Sequence, residues 1–252
     1  MNHGLSVIIP AFNEADRLPR YLEEVRGHMT AAFGREYEVI VVDDGSDDDT
    51  SGAVICSAEG WPEFRLLRHP VNRGKGAAVR TGMLASVGLR VLFADADGAT
   101  PIEEEAKLRS RIDAGADVAV GSRLLRNPGD ESTRAWHRDL AGKAFAAVGR
   151  TVMGVNQLDT QCGFKMFRAD AGRRLFEACT VDGYLFDLYI LAMAERSGLR
   201  VAEVPVLWSE QPGSKIHLLK DSLGMLSGLW RLRSRVLVDV RAADVAPAAR
   251  AF

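Results

Sequence analysis

The chain has 252 residues, 47% of them hydrophobic and 26% charged, with a formal net charge of -2, enough to bury a sizeable core as one large domain or two small ones. Near-neutral charge argues against bulk electrostatic capture of nucleic acid, so no nucleic-acid partner is expected. Cys56, Cys162 and Cys179 are widely spaced and make neither a metal-ligand pattern nor a disulfide framework, which favours a reducing, cytoplasmic setting.

The opening "MNHGLSVIIPAFNE" lacks the positive lead and long apolar run of a signal peptide. No stretch approaches the ~20 apolar residues that a membrane span requires, so a protein that is soluble or lies on a membrane face is expected. The first predicted strand is "LSVIIPA" from Leu5, followed by the helical segment "EADRLPRYLEEVRGHM". Next come "YEVIVVDD" from Tyr37, the helix "DDTSGAVICSAEG", "FRLLRH" from Phe64 and the helix "GKGAAVRTGMLASVG". "RVLFADAD" from Arg90 then leads into "PIEEEAKLRSRIDAG", where Pro101 behind Thr100 is a good helix start and Gly115 a good stop. "DVAVGSR" from Asp117 completes the series.

After Arg123 the rhythm changes. A polar loop, "LLRNPGDEST", precedes a helix from Arg134 to about Met153, then "DTQCGFKMFR", two helical segments and a final strand in "RVAEVPVLWSE". "KIHLLKDSLGMLSGLWRLRSRVLVDV" reads as one or two amphipathic helices and "RAADVAPAARAF" as a frayed tail. Strands that are apolar throughout, separated by helices, imply an α/β fold with a mostly parallel sheet covered on both faces.

In open α/β sheets ligands bind beyond the carboxyl ends of the strands. The polar residues at those ends are Asn13 and Glu14, Asp43 and Asp44, Asn72, Asp95 and Asp97, and Ser122 and Arg123. Asp95-Ala96-Asp97 offers the oxygen ligands that suit a hard cation such as Mg²⁺, held by one or two carboxylates plus substrate phosphates. An Asx turn or N-cap ahead of Pro101 is the structural alternative. Asp44, in "VVDDGSDDDT", could accept hydrogen bonds from a nucleobase imide or a ribose hydroxyl, whereas Asp48 and Asp49 belong to an acidic helix start.

"NRGKGAAVRTGM" is not a Walker motif, but Gly74 and Gly76 at a helix N-terminus make an anion-friendly site beside Lys75. Arg123, ending "VGSR", suits forked binding of phosphate, and Arg134 and Arg138, four apart on a helix, could complete an anion pocket. His3, His28, His69, His137 and His217 show no ligand spacing and no catalytic partner, and no serine or cysteine nucleophile motif is present. A protein nucleophile is not expected.

Together, "SVIIPAFNEADRLP", "VVDDGSDDDT", "NRGKGAAVRTGM", "LFADADGATPIEE", "VGSR", "DTQCGFKMFR", "EVPVLWSE" and "GSK", in this order from Ser6 to Lys215, resemble the family 2 inverting glycosyltransferases of GT-A fold. More narrowly they are similar to the dolichyl-phosphate (polyprenyl-phosphate) β-glucosyltransferases, relatives of the dolichyl-phosphate mannose synthases. "DADGATP" and "DTQCGFK" carry the glucosyl character, where the mannosyl branch usually has a "DADLQHPP"-like segment.

The resemblance implies a donor pocket of Pro10, Ala11, Phe12, Glu14, Asp44, Lys75, Asp95, Ala96, Asp97 and Lys215, with Phe12 near the base and Lys215 closing over the donor phosphates. It implies Mg²⁺ or Mn²⁺ at Asp95 and Asp97, UDP-glucose as donor, and a polyprenyl or dolichyl phosphate acceptor bound by Arg123 with Arg134 or Arg138. Asp95, Asp97 and Arg123 are then the catalytic residues. The acceptor is already an anion, so inversion needs orientation and charge neutralisation and no strong general base.

Two departures stand out. The family's "FDVE"-like segment is "FDLY" here, with Tyr189 in the acidic position and Asp187 as the sole carboxylate, and the chain begins at its first strand where eukaryotic members carry an anchor. Residues 1–215 are expected to form the GT-A catalytic domain and 216–252 a C-terminal amphipathic segment and tail. There Leu219, Leu223, Leu226 and Trp230 recur at helical spacing, opposite Lys220, Arg231 and Arg235, as in a helix lying peripherally on a membrane or one packed on the core. Alternative functions are a GDP-mannose-dependent polyprenyl-phosphate transferase, a GT-A transferase with a soluble acceptor, a sugar-1-phosphate nucleotidyltransferase, and a non-catalytic nucleotide-sugar binder.

Overall fold

The computed structural model describes residues 3–125, 149–211 and 232–239. Its strands are β1 (Leu5–Ala11), β2 (Tyr37–Asp43), β3 (Phe64–Arg68), β4 (Arg90–Ala94), β5 (Val118–Ser122), β6 (Phe164–Arg168) and β7 (Val201–Pro205). The helices are α1 (Leu18–Phe33), α2 (Thr50–Ser57), α3 (Lys75–Ala85), α4 (Glu105–Asp113), α5 (Ala169–Ala178) and α6 (Phe186–Arg196), with a single 3₁₀ turn, Ile102–Glu104, leading into α4. Residues 149–153 and 232–239 are also helical.

The strands form one sheet in the order β3-β2-β1-β4-β6-β5-β7. β1 pairs in parallel with β2 and β4, β2 with β3, and β5 with β7, while β6 runs antiparallel between β4 and β5. β1 and β2 are buried along their whole length because helices cover both faces. Successive side chains point to opposite faces, so Val7 and Ile9 pack with Leu22 and Val25 of α1 and Leu108 of α4, whereas Ile8 packs with Ala78 and Met83 of α3 and Phe186 of α6.

α1 buries Leu18, Tyr21, Leu22, Val25 and Met29, spaced three to four apart as one apolar stripe requires, and ends at Gly34 with φ 62. Gly115 ends the α4 segment with φ 96. The sequence reading lacked β6, whose Lys165 interrupts an otherwise apolar run. Leu232 and Val236 of 232–239 join the core beside α6, so this part of the C-terminal segment spends its apolar face on the protein itself. Of the residues on which the membrane-surface expectation rests, Arg235 is exposed on 232–239 and the others, between 219 and 231, lie outside the described residues. No helix among the described residues is long and apolar enough to cross a membrane.

Candidate functional site

Parallel pairing brings the carboxyl ends of β1, β2 and β3 level, with Ala11 beside Asp43 and Asp43 beside Arg68. The loops that follow are knitted to one another. Asn13, held at φ 56, donates its backbone N–H to Ser46 Oγ (2.9 Å) and accepts from Asp47 N through Oδ1 (2.9 Å). Glu14 N donates to Thr50 Oγ1 (2.8 Å), and the Glu14 carboxylate is gripped at both oxygens by Arg17, at 2.8 and 2.6 Å. Pro10 and Ala11 are the buried last residues of β1, and Phe12 is half-buried just beyond.

Asp44 is almost fully enclosed. Its carboxylate accepts from Arg73 N (3.1 Å) and Gly74 N (2.7 Å) and pairs with His69 Nδ1 (2.6 Å), whose Nε2 meets Thr81 Oγ1 at 2.9 Å. Asp44 thus pins the loop that starts α3, and His69, left without a partner on sequence grounds, is its buried neighbour. The glycines of that loop serve close packing. A Cβ on Gly74 would lie 2.5 Å from Asp182 O, and one on Gly76 2.5 Å from Val181 O. Ala77 N already donates to Asp182 O (3.2 Å), so the helix start expected to receive an anion is occupied by the protein's own oxygens.

Lys75 leaves this helix start to reach Asp95, with Nζ 2.6 Å from Oδ1. Burial lowers the Lys75 pKa, but the charges of Asp95 and Asp187 outweigh it and hold the ammonium above its ordinary value. Asp95 sits at the end of β4 against Gly163, where a Cβ would come within 1.9 Å of Oδ2, and its N–H donates to Gly163 O (2.9 Å). Two residues on, Asp97 Oδ1 accepts the Ala99 N–H (3.0 Å). The Asx-turn alternative is therefore present, and it fixes the carboxylate while leaving its second oxygen without a hydrogen bond among the described residues. Two hard oxygen donors on a half-exposed edge, with no third His, Cys, Asp or Glu ligand among the described residues, fit a divalent ion completed by substrate phosphates and do not fit a closed structural site.

Behind this edge lies a second charge layer that sequence reasoning left unassigned. Lys165 on β6 stands opposite Phe93 of β4, and its Nζ is 2.6 Å from Asp187 Oδ1 at the start of α6, both side chains being buried. The ammoniums of Lys75 and Lys165 lie 5.2 and 5.9 Å from the centre of the Phe93 ring. Burial pushes the Asp187 carboxyl up, against the pull of Lys165 and Lys75.

Arg123, just past β5, gives Asp159 a forked pair, Nε to Oδ2 at 2.7 Å and Nη2 to Oδ1 at 2.8 Å, and its backbone N–H also reaches Oδ2. Its guanidinium stands 5.7 Å from the Trp208 ring. Burial opposes the charge on both partners, yet their mutual bonds hold Arg123 above and Asp159 below their ordinary pKa values. Glu203 of β7 in turn accepts the N–H groups of Leu158 and Asp159 at 2.9 Å each. Between these pairs, burial pushes the Cys162 thiol up to about 12, so it is no nucleophile.

"DTQCGFK" therefore supplies Asp159 to Arg123, Gly163 to Asp95 and Lys165 to Asp187. Its mix of acid, glycine and base was the visible signal, but nothing in the chain order says which partner each one takes. Tyr189, the departure in "FDLY", points into the core of its own helix layer, where its hydroxyl bonds Ala178 O (3.1 Å) and Asp239. Arg134, Arg138 and Lys215 lie outside the described residues.

The Glycosyl transferase family 2 profile matches residues 6–176. The dolichyl-phosphate beta-glucosyltransferase of Dictyostelium discoideum is 34% identical over 252 residues, covering 95% of this chain and 76% of that protein. The Homo sapiens protein of the same name is 36% identical over 253 residues, covering 90% and 78%. Among solved structures, glucosyl-3-phosphoglycerate synthase from Mycobacterium tuberculosis in complex with UDP superimposes with a TM-score of 0.63 at 21% identity, over 98% of this chain and 82% of that one. The same synthase with Mn²⁺, UDP-glucose and phosphoglyceric acid gives 0.60 at 21% identity, over 98% and 81%. The chain belongs to glycosyl transferase family 2: it is a glycosyltransferase of GT-A fold, kin to the dolichyl-phosphate β-glucosyltransferases.

Proposed function

We propose that this glycosyltransferase moves glucose from UDP-glucose to the phosphate of a polyprenyl or dolichyl phosphate, with inversion and with Mg²⁺ or Mn²⁺ at the Asp95/Asp97 edge. The observation that carries it is the placement of two carboxylates on the sheet's carboxyl edge, one seated on Gly163 and the other fixed by its own turn, with Lys75 beside them. The relatives' names supply the acceptor, and the synthase crystallised with Mn²⁺ and UDP-glucose supports the donor and ion by analogy of fold.

Asp95 and Asp97 would hold the cation, which, when bound, would supply positive charge to offset what gathers on the diphosphate as the sugar bond breaks. Lys75 adds a second positive group on the same side. The buried Tyr21 hydroxyl, packed under Gly98, has no hydrogen-bond partner among the described residues. Arg123, stiffened by Asp159 and stacked near Trp208, faces the acceptor phosphate together with Arg134 or Arg138. An oxygen of that phosphate attacks the anomeric carbon as UDP leaves, turning an α-linked donor into a β-linked product. No side chain has to take a proton from an acceptor that is already an anion.

The test is a transfer assay in which UDP- and GDP-sugars are each paired with a short polyprenyl phosphate and with a soluble phosphorylated acceptor, with Mg²⁺, Mn²⁺ or EDTA. Glucose transfer from UDP-glucose to the lipid, abolished by EDTA and by Asp97→Asn, is expected. Transfer only to the soluble acceptor, or undiminished turnover in EDTA, would refute it.

A further inference from the structure

The charge layer behind the metal edge has a physical consequence for how an ion gets in. Asp95 already has a partner within the protein: the Lys75 ammonium lies 2.6 Å from it. A divalent cation and an ammonium repel each other strongly at such separations in a partly buried site, so both cannot keep full hold of one carboxylate. The start of α3 also touches the start of α6, since a Cβ on Gly76 would lie 2.7 Å from Phe186 Cβ. Their chain neighbours, Lys75 and Asp187, stand on the two sides of this contact, and the Lys75 ammonium and the Lys165 ammonium that pairs with Asp187 share the Phe93 ring, at 5.2 and 5.9 Å from its centre. Asp187 has its own partner in Lys165, which also donates to Cys162 O. A buried ion pair of this kind is seldom kept for stability, because an apolar replacement often does as well.

We propose that Lys75 is the resident counter-ion of the metal edge, holding the Asp95 carboxylate until a divalent cation arrives and then transferring its charge to Asp187 and the donor diphosphate. This rests on the metal-dependent function proposed above. Lys75 neutralises Asp95, which relieves the repulsion between Asp95 and Asp97. Asp187, held in place by Lys165, gives the displaced ammonium somewhere to go before nucleotide binds. Nucleotide and metal then bind cooperatively, because the diphosphate draws Lys75 off Asp95 while the cation takes its place.

Mn²⁺ binding to the full chain, followed by electron paramagnetic resonance of the free ion, tests this without reference to turnover. In the absence of nucleotide, Lys75→Met should bind Mn²⁺ about tenfold more tightly than wild type, with UDP affinity in the presence of Mn²⁺ reduced by a similar factor. Asp187→Asn should bind Mn²⁺ severalfold more weakly, and that loss should vanish in the double variant, as it must if Asp187 acts through Lys75. A Lys75→Met affinity no higher than wild type's overturns the proposal, as does an Asp187→Asn loss that persists in the double variant. Should Asp187→Asn fail to fold, the Lys75→Met comparison decides alone. If no variant takes up Mn²⁺ even with UDP present, the metal-dependent function falls and this proposal with it; wild-type uptake with an unchanged Lys75→Met affinity sinks only the latter.

Discussion

The hydrogen that stands in place of a side chain at Gly163 leaves room for the Asp95 carboxylate, since a Cβ there would meet Oδ2 at 1.9 Å and Cγ at 2.1 Å. Gly163→Ala should therefore displace the carboxylate and β6 from one another. A misplacement of about 1 Å in a positioning group is enough to cost roughly 100-fold in rate, and overpacking should cost about 1–3 kcal/mol of stability. Steady-state kinetics beside a thermal melt will show both, and wild-type turnover in a well-folded Gly163→Ala would mean that Asp95 does not act from this position. Asp159 makes a prediction about acid. Its folded pKa lies below the ordinary 3.8, so between the two values the unfolded chain binds more protons than the folded one. Stability from the Arg123 pair is thus complete above about pH 4 and drains away as pH falls through the lower folded value. Asp159→Asn should lower stability at neutral pH by about 2 kcal/mol, discounting the solvent-facing part of Arg123, and should flatten the acid limb of a stability-against-pH curve.

At the scale of elements, the start of α3 is held by neighbours on two sides: the Asp44 carboxylate takes two of its loop's amides, and the 181–183 backbone presses on Gly74 and Gly76. Gly76→Ala should shift the denaturant midpoint by an amount equivalent to roughly 2 kcal/mol, because the atom it strikes is the backbone carbonyl of Val181, which cannot rotate away. Asp44→Asn should cost about 1–2 kcal/mol by turning one acceptor into a donor opposite Gly74 N, Arg73 N or His69. The central parallel strands could be read from the chain because β1, β2 and β4 are mostly apolar, buried runs followed by polar residues, and the carboxylates of Asp95 and Asp97 fall at the edge where that pattern put them. β6 was not legible, since burying Lys165 depends on Asp187 twenty-two positions away, a pairing with no local signature. For the same reason the glycines of "NRGKG" looked like a phosphate cradle. Composition shows that a backbone comes close to something there, and only the fold shows that the something is the backbone at Val181 and Asp182.

Across the whole molecule, the site draws its charges from both sides of the sheet's centre, and the C-terminal helical residues 232–239 support one of those sides. Leu232 is 5% exposed and Val236 fully buried, in the same cluster as Phe176, Phe186 and Tyr189, and Tyr189 bonds Asp239 across the contact. α6 thus carries Asp187 toward the charged edge at its first turn and receives the C-terminal segment along its flank. Burying a Leu and a Val contributes about 1.5–3 kcal/mol each by transfer data, an upper range for real unfolded chains. A chain ending at residue 231 should therefore lose about 3–5 kcal/mol, seen as a fall in Tm on the order of 10 °C for a protein of this length. Val236→Asp should reproduce most of that fall without shortening the chain, because an unpaired carboxylate would enter the core. If 1–215 were an independent unit and the remainder only an appendage, both changes would leave Tm where it is, and differential scanning calorimetry separates the two outcomes directly. A lowered Tm would also mean that deleting the segment cannot serve as a test of membrane attachment, for which substitutions at exposed positions such as Arg235 and Val238 are the suitable probes.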